Sequence, residues 1–207
     1  MRQCWQNAKH LESSWQVFNM SKVYTLENNL IEHCAPTLAG MKCGSLFNYR
    51  FTDKASVIKE LKIISQKLNQ RGVYVEAMLW KESYVLIYAY RRTHLIKELS
   101  REGAMELLNA YGYHSWQLEA CIGHLKKRLA ECDCFPHEIG VFLGYPLEDV
   151  KGFIIHKGQE CKYCGLWKVY CNECETKKLF EKLQKCTRVY LQVFAEGRSI
   201  SQMTVSA

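Results

Sequence analysis

Four cysteines near the C-terminus form the densest group of reactive side chains in the sequence. They lie in the stretch C-K-Y-C-G-L-W-K-V-Y-C-N-E-C, with Cys161 and Cys164 as one C-x-x-C pair and Cys171 and Cys174 as another. C-K-Y-C-G has the form of a metal knuckle, in which two thiolates bind one ion and a glycine lets backbone amides approach the sulfur atoms. Zinc or iron is the metal that such thiols would take. The alternative is a set of free or reversibly oxidised thiols.

The spacing between the two pairs bears on this choice. The intervening L-W-K-V-Y is rich in aromatic and β-branched residues, so it is predicted to be a strand that carries Trp167 or Val169 into the core. Seven residue steps along a strand, from Cys164 to Cys171, cover about 23 Å at about 3.3 Å each. Four sulfur atoms around one zinc ion must lie within about 4 Å of each other. A strand here therefore favours separate thiol pairs over a four-cysteine metal site.

The second pair is predicted to lie at the start of the last helix. Asn172 and Glu175 have the N-x-x-E form of a capping box, which would begin the helix at Asn172. Cys174 would then lie in the first turn, where the helix dipole favours a thiolate. Cys171 and Cys174 are accordingly predicted to have the lower thiol pKa and to close a reversible disulfide.

Two further positions are candidates for catalysis. His137 and Glu138 follow Phe135-Pro136 in the first turn of a predicted helix, where they could serve as general acid and base or as ligands. They could equally hold the backbone of that turn and favour the helix N-terminus. Cys34 follows a histidine and precedes Ala-Pro, which is consistent with a nucleophile or with a buried structural thiol.

Composition narrows the class of protein. The chain has 207 residues, 11 cysteines and a formal net charge of +7. Its basic residues are spread among acidic ones, so nucleic acid is not the expected partner. It shows no apolar run long enough to span a membrane and no signal-peptide core near Met1, so we expect a cytoplasmic protein whose cysteines are reduced. It also lacks the common nucleotide-binding and hydrolase motifs.

Hydrophobic periodicity predicts an α+β fold: a small mixed sheet that contains a β-hairpin and is covered by several helices. Residues 1–19 are predicted to be a poorly ordered N-terminal extension, with Met20 as an alternative start to Met1, and residues 20–207 to form one domain. The predicted elements are strands at 45–51, 73–80 and 84–90, and helices at 54–70, within 95–111 with a break at Gly103, at 116–131, and after Asn172. Residues 135–154 are predicted to hold two short helices that meet at Gly144-Tyr145-Pro146.

Three blocks of sequence carry a resemblance to a known family. They are H-C-A-P-T-L-A-G-M-K-C-G-S-L-F (33–47), F-P-H-E-I-G-V-F-L-G-Y-P-L-E-D-V-K-G-F-I (135–154) and G-L-W-K-V-Y (165–170). The chain resembles, over roughly residues 20–205, a bacterial family known as a domain of unknown function and found mostly in anaerobes. The family pattern centres on Gly165, Trp167 and Tyr170. The resemblance implies an iron or redox setting, with a flavodoxin-like or iron-handling protein as the partner.

These observations lead to three functional hypotheses. The first is a non-catalytic binding protein for a small ligand, a metal or a protein partner in an iron or redox context. The second is a thiol- or His/Glu-dependent enzyme that uses His137, Glu138 and Cys34, which would require these side chains to converge on one pocket. The third is a zinc-binding or RNA-associated protein.

Overall fold

The structure is a computed structural model that describes residues 25–131 and 135–206, so the predicted extension at residues 1–19 lies outside the described residues. The α+β fold class is confirmed. In chain order the elements are α1 (Leu26–Leu38), β1 (Gly44–Arg50), α2 (Lys54–Asn69), β2 (Val73–Trp80), β3 (Tyr84–Arg91), α3 (Arg92–Leu99), α4 (Ala104–Asn109), α5 (Leu118–Glu131), α6 (Ile139–Phe142), α7 (Leu147–Ile155), β4 (Tyr163–Cys164), β5 (Lys168–Val169), α8 (Glu173–Ala195) and α9 (Ile200–Met203).

The main sheet has the order β1-β3-β2, and both of its strand pairs are antiparallel. The prediction of a mixed sheet is therefore wrong. The connection through α2 does make β1 and β2 run in the same direction, as expected for a mixed sheet. However, β3 follows β2 through a tight turn and lies between the two parallel strands, so every neighbouring pair is antiparallel.

The sheet separates two hydrophobic cores because successive side chains of a strand point to opposite faces. On one face, Val85 and Ile87 of β3 pack with α1 and α2. On the other face, Leu86 and Tyr88 pack with helices α3 to α7. The central strand β3 is buried along nearly its whole length, which explains its uninterrupted apolar sequence.

The predicted helix at 54–70 is observed as α2, and Asp53 caps it by accepting hydrogen bonds from the amides of Ala55 and Ser56. Val57, Leu61, Ile64 and Leu68 form its buried face, whereas Ile58 is exposed. The break at Gly103 and the two helices that meet near Gly144 are also confirmed. Within the described residues, no helix is both long and apolar enough to cross a membrane.

The last helix, α8, begins where it was predicted but without the predicted cap. Asn172 adopts a left-handed conformation with φ of 51° and its side chain makes no capping hydrogen bond. The capping-box prediction is therefore wrong, because that conformation does not direct the Asn172 side chain at the first-turn amides. Phe180 and Leu183 lie on the buried face of α8, whereas Leu179 is exposed.

Candidate ligand-binding cleft beside the cysteine hairpin

The segment between the two cysteine pairs is not one continuous strand, because it contains the turn and the second strand of a hairpin formed by residues 163–169. Strand β4 pairs with β5 in antiparallel fashion, and the amide of Lys162 donates a hydrogen bond of 2.8 Å to the carbonyl of Val169. The chain reverses over residues 165–167, where a Cβ on Gly165 would lie 2.2 Å from the Phe180 ring. The predicted separation of about 23 Å between the pairs is therefore wrong, because it assumed an unbroken strand. The prediction that Trp167 or Val169 enters the core is confirmed, since both are buried.

The hairpin does not gather the four thiols into a metal site. Cys164 and Cys174 are exposed, while Cys161 and Cys171 are partly buried. Across residues 25–131 and 135–206, no three His, Cys, Asp or Glu side chains are arranged so that they could hold a metal ion. Burial, followed by the nearby Asp149 carboxylate, raises the pKa of the Cys171 thiol. That direction is opposite to the lowered pKa predicted for this pair.

Asp149 on α7 holds the hairpin in place. Its side chain is buried and accepts hydrogen bonds from the indole Nε1 of Trp167 at 2.9 Å and from the amides of Tyr170 and Cys171 at 2.8 and 3.1 Å. In the sequence Asp149 is only an acid near the start of a predicted short helix. Its partners lie about twenty residues further along the chain, so no local pattern could have revealed this role.

Trp167 is fixed by aromatic contacts as well as by Asp149. Its ring stacks on Tyr145 with centroids 4.6 Å apart, and the Phe180 ring meets it edge-on at 4.4 Å. On the other side of the hairpin, Gly152 of α7 leaves room for Tyr170, because a Cβ at that position would lie 2.5 Å from the Tyr170 ring. These contacts explain why Gly165, Trp167 and Tyr170 belong together in the G-L-W-K-V-Y block.

The candidate catalytic residues lie in three different environments. Glu138 is fully buried, pairs with Arg128 at 2.9 Å and accepts a hydrogen bond from the Tyr113 hydroxyl. His137 is exposed and lies edge-on to Phe153. Cys34 is buried in the core on the opposite face of the sheet, where burial raises the pKa of its thiol to about 12. The structure therefore does not bring these three side chains together in one pocket.

Sequence reasoning did not identify a cleft of about 220 Å³ beside the hairpin. The loop after α1, helix α3, the turn between α6 and α7, the hairpin and helix α8 all contribute to it. Its lining residues are Met41, Lys42, Cys43, His94, Lys97, Glu98, Gly144, Trp167, Leu179 and Leu183. The three sequence blocks that carry the family resemblance (33–47, 135–154 and 165–170) each contribute residues to this lining. They are the sequence feature that could have indicated the cleft.

Positive charge dominates the polar part of the cleft. Lys42 lies with its Nζ 5.0 Å from the centre of the Tyr145 ring. In the part of the chain that the structure describes, neither Lys42 nor Lys97 forms an ion pair, whereas Glu98 lies 3.7 Å from Arg101. As far as the structure describes the chain, the cleft thus presents two ammonium groups without ion-pair partners, together with His94, and the Glu98 carboxylate already has a cationic neighbour.

Burial shifts the pKa values of Lys42 and of the groups around it. It lowers the pKa of Lys42 from 10.5 to about 8, a change that the thiols of Cys43 and Cys34 oppose in part. It also lowers the pKa of His94, with Arg91 and Lys97 adding to the effect. Burial raises the pKa of Cys43 to about 12, and its Sγ donates a hydrogen bond to the carbonyl of Phe142 at 3.3 Å. Burial therefore favours the neutral amine of Lys42 and the protonated thiol of Cys43.

Comparison with known families agrees with the resemblance seen in the sequence. Residues 30–204 match the family model described as "Protein of unknown function (DUF3793)". The chain belongs to this family. No curated protein and no solved structure matches the chain. All the residues that line the cleft lie within the span that the family model covers.

Proposed function

We propose that this DUF3793 protein binds a small organic anion in the cleft between α3 and the cysteine hairpin. The observation that carries the proposal is the presence of two lysine ammonium groups, without carboxylate partners among the described residues, in one cleft with an indole wall. This is the small-ligand form of the non-catalytic binding hypothesis drawn from the sequence.

The charge arrangement favours an anion. A carboxylate that enters the cleft would accept charge-assisted hydrogen bonds, which are shorter and stronger than neutral ones. Lys42 is the stronger of the two donors because it is partly buried, whereas Lys97 is exposed and its charge is better screened by solvent. Glu98 is adjacent to Arg101, so its charge opposes an incoming anion only in part.

The apolar walls favour a ligand with a hydrophobic portion. Trp167 and Leu183 are buried residues that border the cleft, and Met41 and Leu179 are exposed at its edge. Trp167 is held rigidly by Asp149 and by its stack on Tyr145, so little ordering of this wall is needed on binding. A flat or compact apolar group next to a carboxylate matches this combination.

The test compares two ligands that differ in charge. Benzoate and benzyl alcohol have the same ring, and isothermal titration calorimetry at low salt measures the affinity of the protein for each. We expect benzoate to bind and benzyl alcohol to bind at least tenfold more weakly, since a hydrogen bond to a charged group contributes about 1.5–3 kcal/mol. Lys42→Met should weaken benzoate about tenfold or more, and Lys97→Gln a few-fold.

Lys59→Met is the matched control, because Lys59 is an exposed lysine on α2 and does not border the cleft. It should leave the affinity for benzoate unchanged. Equal affinities for benzoate and benzyl alcohol, or equal effects of the variants at positions 42 and 59, would contradict the proposal. Thermal unfolding of each variant checks that a lost affinity does not reflect a lost fold.

Metal binding by Cys161, Cys164, Cys171 and Cys174 is a second candidate function. One observation favours it: the hairpin turns the chain back, so the two pairs are no longer held apart by an extended strand. Cys164 and Cys174 are exposed, so a metal ion could reach their thiols. Elemental analysis of protein purified under reducing conditions would support the function if stoichiometric zinc or iron were lost when either pair is changed to serine. Failure of the protein to retain zinc after reconstitution would contradict this second candidate function.

A further inference from the structure

Lys42 has the surroundings of a reactive amine. Its Nζ lies over the Tyr145 ring, 5.0 Å from the ring centre, and no acceptor among the described residues forms a hydrogen bond or ion pair with it. The side chain borders the cleft, so a ligand can reach it. A desolvated lysine without a carboxylate partner is the environment in which proteins use lysine for Schiff-base chemistry.

We infer that Lys42 forms an imine with a small carbonyl acid, of the 2-oxo acid class, that is bound in this cleft. The inference deepens the proposed function and rests on it, because the carboxylate of such an acid is the anion that the cleft would take. The carbonyl group lets the same ligand bond covalently to the amine.

The groups around Lys42 favour the amine over other nucleophiles. Helix α3 contributes His94, Lys97 and Glu98 to the cleft. The thiols near Lys42 are Cys43, before β1, and Cys34 on α1. Tyr145, in the turn after α6, faces the Lys42 amine. Both thiols are buried and protonated at neutral pH, since each has a pKa of about 12. Lys97 is the cationic group left to hold the carboxylate, and the neutral His94 ring can donate one hydrogen bond to it.

The step balances without any further reactant. The neutral amine of Lys42 adds to the carbonyl carbon, and a C–N bond forms. The carbonyl oxygen leaves as water with the two protons of the amine, and a C=N bond remains. With a pKa of about 8, roughly a tenth of Lys42 is neutral at pH 7, far more than for a lysine of ordinary pKa.

The experiment traps the imine by reduction. The full chain is incubated with pyruvate and sodium cyanoborohydride at pH 7.5, and peptide mass spectrometry locates the reduced adduct. We expect the adduct on Lys42, and at least tenfold less with acetone, which has the carbonyl group but no carboxylate. Lys42→Arg should remove the adduct while keeping the positive charge, and Lys59→Arg should leave it unchanged.

Lactate separates failure of the imine from failure of the proposed function, because it has a carboxylate and no carbonyl group. Lactate binding that is retained in Lys42→Arg, with no adduct from pyruvate, would overturn the imine and leave anion binding intact. If neither lactate nor benzoate binds and no adduct forms, both proposals fail. Equal labelling of Lys42 and exposed lysines would also overturn the inference. Thermal unfolding of Lys42→Arg shows whether this variant is folded. If Lys42 of the native chain is not labelled, the inference is refuted even when Lys42→Arg is unfolded.

Discussion

The substitution Asp149→Asn tests how the hairpin is held. Oδ1 of Asp149 accepts hydrogen bonds from the amides of Tyr170 and Cys171, and Oδ2 accepts one from Nε1 of Trp167. Asparagine has the same shape but only one acceptor oxygen. If that oxygen keeps the two backbone amides, the side-chain NH2 faces the indole N–H, and two donors meet in a buried site.

The magnitude follows from the lost bond. A hydrogen bond to a charged acceptor contributes about 1.5–3 kcal/mol, and a buried donor without an acceptor adds to the loss. We therefore expect Asp149→Asn to lower the free energy of unfolding by about 2–3 kcal/mol. For a chain of this size, that corresponds to a decrease of about 4–12 °C in the midpoint of thermal unfolding.

The assay is urea unfolding followed by circular dichroism, with Asp53→Asn as the matched control. Asp53 is the exposed N-cap of α2, and its carboxylate accepts hydrogen bonds from two backbone amides and from the Ser56 hydroxyl. Asparagine is nearly as good an N-cap as aspartate. The control should therefore change the free energy of unfolding by less than about 0.5 kcal/mol.

A double-mutant cycle with Trp167→Phe shows whether the indole is responsible. Phenylalanine has no N–H, so Asp149→Asn should cost about 1–2 kcal/mol less in the Trp167→Phe background than in the native chain. An equal cost in both backgrounds would show that Asp149 acts without Trp167. A native-like stability of Asp149→Asn would refute the whole account of the hairpin.

Three further predictions concern Arg91, the cysteine thiols and Lys42. The buried Arg91 side chain donates hydrogen bonds to the carbonyls of Thr37 and Leu38 at the end of α1 and to that of Val205. Arg91→Met should therefore lower the free energy of unfolding, measured in urea, by about 2–4 kcal/mol. A loss below about 0.5 kcal/mol would contradict this role. Under brief alkylation at neutral pH, exposed Cys164 and Cys174 should label before buried Cys34; mass spectrometry measures the order, which should disappear in denaturant. Because the folded pKa of Lys42 is below its unfolded value, the native state binds fewer protons between about pH 8 and pH 10. The native chain should therefore gain stability relative to Lys42→Met as the pH rises through that range, and a constant difference would oppose a lowered pKa.

Local sequence patterns determined most of the secondary structure and the family. Apolar residues at helical spacing between Val57 and Leu68 predicted α2 to within a residue of its observed end. Alternating and β-branched residues predicted the β2–β3 hairpin, and Gly103 and Gly144 predicted the helix breaks. These features depend on residues a few positions apart, which share a helix face or a strand face whatever the rest of the chain does.

Contacts between distant segments decided everything that concerns the site. L-W-K-V-Y has the composition of a strand, but only Lys168 and Val169 form one, and they pair back on Tyr163 and Cys164. The turn between these strands is held because Asp149 binds Trp167 and Phe180 packs against Gly165. The same contacts place the indole beside Lys42, which comes from the opposite end of the sequence. The pKa of Lys42 likewise depends on how deeply the folded chain buries it, since burial sets the cost of its charge.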